Sequence, residues 1–460
     1  MWPAVNYVNQ PLMKNKILLI NPWIYDFAAY DFWLAPLGLL SLAAVLRKMG
    51  YGIQMIDCLR TFNLHPPFPV PEKLPKRFPS GHGHFFKEAV KKPLALQSIP
   101  KKYHRYGMKE AELRKYLQIM KRPEMILVTS MMTYWYPAVI DTIKILKEEI
   151  PGIPIILGGN YPTLCPEHAS NAEADLCVTG EGEIQLPWIV KEFMGNESSF
   201  QVDPGDLDSY PYPAFDLYGN PVQVSLLTSR GCPFDCTYCA SHLLNPHYRR
   251  RDPVKVANEI EYWNRHSGIK NFSFYDDALL IDPASMAIPL LHEIIRRDLS
   301  CQFHCPNGLH LRGITPEMAG LMFKAGFRTI RFGFETSNIQ RQRDTGGKVT
   351  NEHLEQAVAY LMEAGYASQD IGIYLLCGLP GQTALEVLET ITYVKKCGAR
   401  PVIAEYSPIP GTALWDDSIN ASPYPISEEP LFHNNTLLPC RSNLLTFEMY
   451  QDLKRLTRIT

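Results

Sequence analysis

Short apolar runs alternate with longer amphipathic stretches along most of this chain, and that alternation restricts the fold more than any other feature. A strand, a helix and a second strand in succession require a crossover connection, which makes the two strands parallel and the crossover right-handed. An apolar strand at 16–20 is followed by an aromatic-rich loop. A helix over 37–49 comes next, opened by Pro36 and closed by Gly50 in the C-cap position, and then a strand at 53–57. The pattern resumes with a strand at 125–129, a helix over 137–149 and a strand at 153–157 that ends in Gly158-Gly159. A strand at 176–179 then runs into Gly180-Glu181-Gly182-Glu183 and a helix over 184–193. Residues 1–195 are therefore expected to form a Rossmann-like, doubly wound parallel sheet of about five strands, a fold that binds ligands at the carboxyl ends of its strands.

Pro204, Gly205, Pro211, Pro213 and Pro221 mark 196–221 as a linker. A second series follows, with strands at 222–228, 272–276, 302–305, 329–334, 371–376 and 402–406 and helices between them. Six repeats are too few for an eight-stranded barrel, so 222–415 is expected to be a partial (β/α)6, TIM-like barrel, open on one side. Residues 416–460 are expected to form a short helical C-terminal cap. The fold class is α/β.

Composition narrows the function. The 460 residues carry 45 Lys+Arg against 47 Asp+Glu, a formal charge of −2, which gives the whole chain no attraction for nucleic acid or a membrane surface. The greasiest stretch, 35–46, is shorter than the roughly twenty residues a membrane span needs. The polar start, with Asn6, Asn9 and Gln10, does not read as a signal peptide. A cytoplasmic protein without a transmembrane segment is expected. One region departs from neutrality. Residues 61–115 hold eight prolines and twelve Lys/Arg against four Asp/Glu, a net +8. This insertion is either a solvated irregular loop or a basic lid over an anionic ligand.

The eleven cysteines are an odd number, which argues against a fully paired disulfide framework. Cys232, Cys236 and Cys239 fall within eight residues, directly after the first strand of the second series. In a β/α barrel that is the catalytic face. A 4Fe-4S cluster normally takes four cysteines, so three thiolates leave one iron open. A zinc site completed by His242 is the alternative, disfavoured because the usual CxxC pairs are absent. Cys301, Cys305 and Cys377 fall near the barrel interior by strand count and read first as small buried hydrophobes, with radical quenching as the sharper alternative.

The CxxxCxxC motif, with Tyr238 before its last cysteine, resembles that of the radical S-adenosylmethionine (SAM) superfamily over about 220–415. The resemblance implies a 4Fe-4S cluster on the three cysteines, its open iron chelated by SAM. An electron from the cluster would then break the sulfonium bond to give methionine and a 5′-deoxyadenosyl radical. It further implies SAM contacts from Tyr238, from Asp276 and Asp277 at the methionyl amino group, and from Asn307 after the third strand. Glu335 is implied at the ribose and the turn at Gly378 against adenine. Tyr275-Asp276-Asp277 stands where the superfamily has Gly-Gly-Glu. Taken singly, these carboxylates also read as helix caps and the glycine as a turn residue.

Residues 36–51, with Gly158-Gly159 and Gly180 to Glu183, resemble the cobalamin-binding domain joined to many radical SAM enzymes. That resemblance implies cobalamin contacts from Ser130, Met132, Gly158, Gly159, Gly180 and Glu181. The family's cobalt-ligating histidine has no counterpart at 21–26, since the first histidine in the chain is His65. Cobalamin would bind without a histidine ligand, with Trp23, Tyr25 or Trp33 at its lower face, or else the domain is vestigial.

The implied function is a cobalamin-dependent radical SAM methyltransferase acting on an unactivated carbon or phosphorus centre. One SAM would supply the radical, and a second would regenerate methylcobalamin. The alternatives are a cobalamin-free radical SAM enzyme of ring formation, coupling or oxidation, and a zinc-bound nucleic-acid or protein-binding module. Methylthiolation of tRNA is disfavoured because the first domain lacks a second cysteine triad. The expected partners are a small-molecule or lipid-like substrate, anionic if the insertion contacts it, and an electron donor such as ferredoxin or flavodoxin. The chemistry would suit an oxygen-poor setting.

Overall fold

The computed structural model describes residues 16–60 and 74–458. The polar N-terminal stretch and the start of the insertion, including His65, lie outside the described residues. In the first sheet β1 (Lys16–Asn21) sits between β3 (Gly52–Asp57) and β6 (Met125–Val128). β7 (Ile155–Leu157) and β8 (Leu176–Cys177) extend it in the order β3-β1-β6-β7-β8, all parallel. Alternation along the strands decides which layer each residue joins. Leu18, Ile20, Ile126 and Val128 pack with helix Tyr136–Glu149, while Ile17, Leu19, Met125 and Leu127 pack with helices Leu37–Lys48 and Gly182–Met194. A parallel sheet covered on both faces needs such uninterrupted apolar strands.

The insertion is not an irregular loop in its described part. Short strands β4 (Lys87–Ala89) and β5 (His104–Tyr106) join β2 (Ile24–Asp26) in an antiparallel sheet ordered β2-β5-β4. Leu96, Ile99 and Tyr103 then form an apolar cluster with Phe27 and with Ile426, Leu431, Phe432 and Leu437 from the C-terminal region. Asn434 Nδ2 donates to Asp26 Oδ1 at 2.8 Å, and His433 hydrogen-bonds Thr133 at 2.9 Å. The C-terminal region is thereby seated on the insertion and the first sheet. Its last helix, Phe447–Leu456, sends Tyr450 and Leu453 into the core of the second unit.

That unit begins at β9 (Val224–Leu226). After it come a small antiparallel pair, β10 (Ser229–Arg230) with β11 (Arg249–Arg250), and then β12 (Asn271–Phe274), β13 (Gln302–His310), β14 (Phe327–Glu335), β15 (Ile371–Cys377) and β16 (Arg400–Glu405). β9 and β12 to β16 form six parallel strands in chain order, and β9 and β16 each have one neighbour. Phe272, Phe303, Ile330, Phe332, Ile373 and Leu375 point into the helix-covered core. Cys301, Cys305 and Cys377 lie in that same core. They correct the interior placement, because residue parity turns them toward the helices. The opposite face carries Ser225, whose hydroxyl is 3.0 Å from that of Ser273, and His304, bonded to Thr329.

Leu431 is 3% exposed at the junction of insertion and C-terminal region. Leu431→Ala is expected to cost about 2–5 kcal/mol. Thermal melts should fall, and limited proteolysis should release the C-terminal region first.

Candidate active site between the two sheets

A cavity of about 390 Å³ opens at the carboxyl ends of the first sheet. One wall is built by Ser130, Gly158, Gly159, Gly180 and the start of helix Leu37–Lys48. The facing wall comes from the second unit, through Ser229, Arg230, Tyr275 and Asp277. Five of the six expected cobalamin residues therefore line a single cavity. Gly159 has φ +100°, and a Cβ there would stand 2.2 Å from the Ser130 carbonyl oxygen, so only glycine lets the two turns approach. A Cβ on Gly158 or Gly180 would meet nothing within 4 Å, which leaves space for a large ligand's tail. Ser130 Oγ donates to Gly158 O at 3.0 Å and holds the turns together.

Two expectations are corrected here, and one residue is found already engaged. Met132 opens the turn Thr133–Trp135 and is 43% exposed, and Met131 faces the cavity instead. Glu181 lines the cavity, but its carboxylate is engaged by Arg230 at 2.8 Å and by Arg249. Trp23, Tyr25 and Trp33 are not on the wall, because pairing of β2 with β5 draws that loop into the protein. Trp23 is buried, Tyr25 donates to Asp141 at 2.9 Å, and Trp33 stacks on His304 at 4.2 Å. Leu34 to Leu37 and Leu42 supply an aliphatic wall in their place. The open glycine turns and this wall fit a corrinoid held without a histidine ligand.

Cys232, Cys236 and Cys239 are free thiols on the loop between β10 and helix Ser241–Leu244. The Cys239 amide donates to Cys236 O at 2.9 Å, and burial pushes the Cys239 thiol up to about 11. Among the described residues no group of three or more His, Cys, Asp or Glu side chains converges as ligands of one ion would. The three cysteines supply the donor set of a 4Fe-4S cluster with one iron left open. The turn after helix Ile339–Asp344 packs onto the loop: a Cβ on Gly346 would stand 3.1 Å from Cys236 Cα. Lys348 Nζ then reaches Tyr238 Oη at 2.8 Å and Glu335 at 2.7 Å. Burial pulls the pKa of this ammonium down, but Glu335 and the neighbouring thiols outweigh it and hold it above the usual lysine range.

Of the expected SAM residues, Tyr238 lies on the cysteine loop, and Asp276, Asp277 and Glu335 bond to residues on or flanking it. Asp276 Oδ1 accepts from the amides and hydroxyls of both Thr228 and Ser229 at 2.7–2.8 Å, while Oδ2 is buried without a partner. An orphaned acceptor beside the cluster loop fits a ligand that brings an ammonium. Burial pushes Asp276 up to about 6, against the pull of the four hydrogen bonds. Asp277 accepts from Ser241 Oγ at 2.6 Å and is otherwise open to the cavity. Asn307 lies inside β13, not after it, where the register with β14 shifts, and its amide donates to Tyr275 O at 2.9 Å. Glu335 ends β14 with φ +71° and is turned back toward Lys348. The turn at Gly378 is closed by Gln382, which accepts from its amide at 2.8 Å, and packs against Leu438.

Two residues went unnoticed in the sequence. Lys348 is reached only through folding, and its one local signal is the preceding Gly346-Gly347. His310 stacks on Phe234 of the cysteine loop at 4.9 Å with Nδ1 buried and unpartnered, and burial lowers its pKa to about 4.

The chain matches the model of the radical SAM superfamily over residues 226–394 and that of the B12 binding domain over 111–190. These matches assign a radical SAM domain to the first of those stretches and a B12-binding domain to the second. An uncharacterized methyltransferase of Pyrococcus horikoshii is 26% identical over 329 residues, 65% of this chain and 70% of that one. Cytidylyl-2-hydroxyethylphosphonate methyltransferase of Streptomyces wedmorensis is 22% identical over 88% of this chain and 82% of its own length. In fold, the chain is similar to the radical SAM methyltransferase TsrM of Kitasatospora setae, with TM-score 0.64 and 17% identity over 88% of this chain and 76% of that one.

Two variants test the site. Gly159→Ala should abolish cobalamin retention on gel filtration and lower the melting temperature, since the added Cβ forces the two turns apart. Asp276→Asn should weaken SAM binding about tenfold or more, the loss of one charge-assisted hydrogen bond. Because burial raises the folded pKa of Asp276, the stability linked to its protonation is present at low pH and is lost as pH rises through about 6. The wild-type melting temperature should show that decline, and the Asn variant should lack it.

Proposed function

We propose that this chain is a cobalamin-dependent radical SAM methyltransferase acting on an unactivated carbon or phosphorus centre of a small molecule. One observation carries the reading: a single cavity has the cobalamin-type glycine turns on one wall and the approach to the cysteine loop on the other. When bound, the cluster supplies the electron that breaks the SAM sulfonium bond, and cobalamin carries the methyl group. The protein's part is to place those groups against one another and keep water out. Asp276 and Asp277 are suited to hold the methionyl ammonium, and Glu335 to hold ribose hydroxyls. Lys348 sets a positive charge beside the thiolates, and Gly158 and Gly180 leave room for the cobalamin tail. Two methyltransferases among the relatives, one named for a phosphonate, support the reaction class.

Among the described residues no helix is long and apolar enough to cross a membrane. A cytosolic, oxygen-poor setting with ferredoxin or flavodoxin as electron donor suits the reading. Anaerobically purified protein should show cobalamin absorption besides that of the iron-sulfur cluster. With dithionite it should convert SAM to 5′-deoxyadenosine, and with substrate it should also form S-adenosylhomocysteine. Cys232→Ala should abolish 5′-deoxyadenosine formation while cobalamin stays bound. Substrate turnover by protein free of cobalamin would overturn the methylation reading.

A further inference from the structure

The sequence places its positive charge in the insertion, yet the structure engages much of it there. Arg105 pairs with Glu88 at 2.6 Å, Arg77 with Asp31 at 2.6 Å, and Arg114 with Glu110, Glu148 and Glu149 at 2.8 Å each. Lys101 donates to the Thr436 carbonyl at 2.5 Å. A different cation stands out on the face of the second sheet that the helices leave uncovered.

On β14, Ile330, Phe332 and Phe334 enter the helix-covered core, so Arg331 takes the opposite face together with Thr329 and Gly333. Gly372 is its register partner on β15, and Arg400 is the partner of Gly372 on β16. A Cβ on Gly372 would come 2.3 Å from Arg331 Nη1, so the guanidinium lies across β15 in space that only glycine provides. Among the described residues neither Arg331 nor Arg400 has an Asp or Glu within 4 Å. Arg331 donates to the adjoining Ile330 carbonyl at 3.1 Å and interacts with Tyr374, whose hydroxyl is engaged by Pro306 O at 2.8 Å. Burial, and then the charge of Arg400, lower the Arg331 pKa to about 10, and the group stays charged at neutral pH. A half-buried guanidinium with no carboxylate in ion-pair reach, only Asp370 acting from farther off, and a second guanidinium beside it has room for an oxyanion partner.

Neither arginine lines the cavity between the two sheets, so a ligand bound here would lie beyond it along the uncovered face. Arg331 precedes Glu335 by four residues on the same strand. At roughly 3.3 Å per residue the guanidinium's strand position is about 13 Å from the cluster end. We propose that Arg331, with Arg400 beside it, is an oxyanion site that holds the carboxylate, phosphate or phosphonate end of the substrate while its other end reaches the reacting centre. The inference rests on the radical SAM reading only for naming that ligand as substrate.

The test is calorimetric titration of the cluster- and cobalamin-loaded protein with phenylphosphonate, benzoate and neutral benzyl alcohol. At least one anion should bind and benzyl alcohol should not, and the tighter anion identifies the source of the oxyanion. Arg331→Met should weaken the anion at least tenfold with cluster and cobalamin spectra and melting temperature unchanged. Arg331→Lys, which keeps the charge but not the fork, should fall between. Equal binding by wild type and Arg331→Met, or binding of benzyl alcohol as tight as that of the anions, would overturn the site. If Arg331→Met does not fold, wild-type discrimination and the Arg331→Lys loss decide the matter. Retained anion binding in a protein that transfers no methyl group would overturn the proposed reaction and leave the site standing.

Discussion

Arg230 stands two residues before the first cysteine of the loop and closes on carboxylates of the other unit, Glu181 at 2.8 Å and Glu183 at 2.5 Å. Arg249 reaches the same Glu181, and the Arg230 guanidinium sits 5.0 Å over the Tyr210 ring of the linker. With side-chain exposures of 15%, 14% and 5%, Arg230, Glu181 and Glu183 are largely withdrawn from water. Desolvation consumes much of what such ion pairs gain, so their value lies in geometry more than in stability. A fork that meets two carboxylates on one turn permits a narrow range of orientations. It sets the cysteine loop at the edge of the cavity beneath the glycine turns. Every functional residue on either wall depends on that alignment, since methyl transfer requires the two cofactor sites to share one space.

The second consequence of the fold is a division between the two faces of the six-stranded sheet. Large aromatics such as Phe272, Phe303 and Phe332 fill the helix-covered side, and this packing makes the strands rigid. The other side keeps hydroxyls, His304, Tyr374 and the Arg331 guanidinium, polar groups that no helix covers. A rigid sheet with one polar face suits chemistry in which a reactive species must meet a single carbon or phosphorus atom and nothing else. The C-terminal region and the described part of the insertion brace this arrangement from outside through Leu96, Leu431 and Phe432.

Much of the architecture was legible before folding was considered. Strand positions such as 371–376, against the observed Ile371–Cys377, follow from apolar runs between turn signals. The strands β2, β4 and β5 were not legible, because each is three residues long and carries at least one charged side chain. Their pairing is what withdraws Trp23, Tyr25 and Trp33 from the cavity. In the site, Asp276 was visible as a strand-end carboxylate, but its four donors come from Thr228 and Ser229, at the junction of β9 and β10, which neighbours it only in space. Lys348 lies in a loop far along the chain from Tyr238 and was invisible for the same reason.

The sequence by itself determined the two parallel sheets and the cysteine loop, together with the glycine turns and the absence of a histidine at 21–26. These are local patterns: periodicity, spacing and residue type act within a few residues. Only the tertiary structure decided that Glu181 serves an ion pair, that Met131 and not Met132 meets the cavity, and that among the described residues Arg331 has no carboxylate in ion-pair reach. Those outcomes depend on which elements become neighbours, and no local pattern encodes the partner of a side chain across a fold.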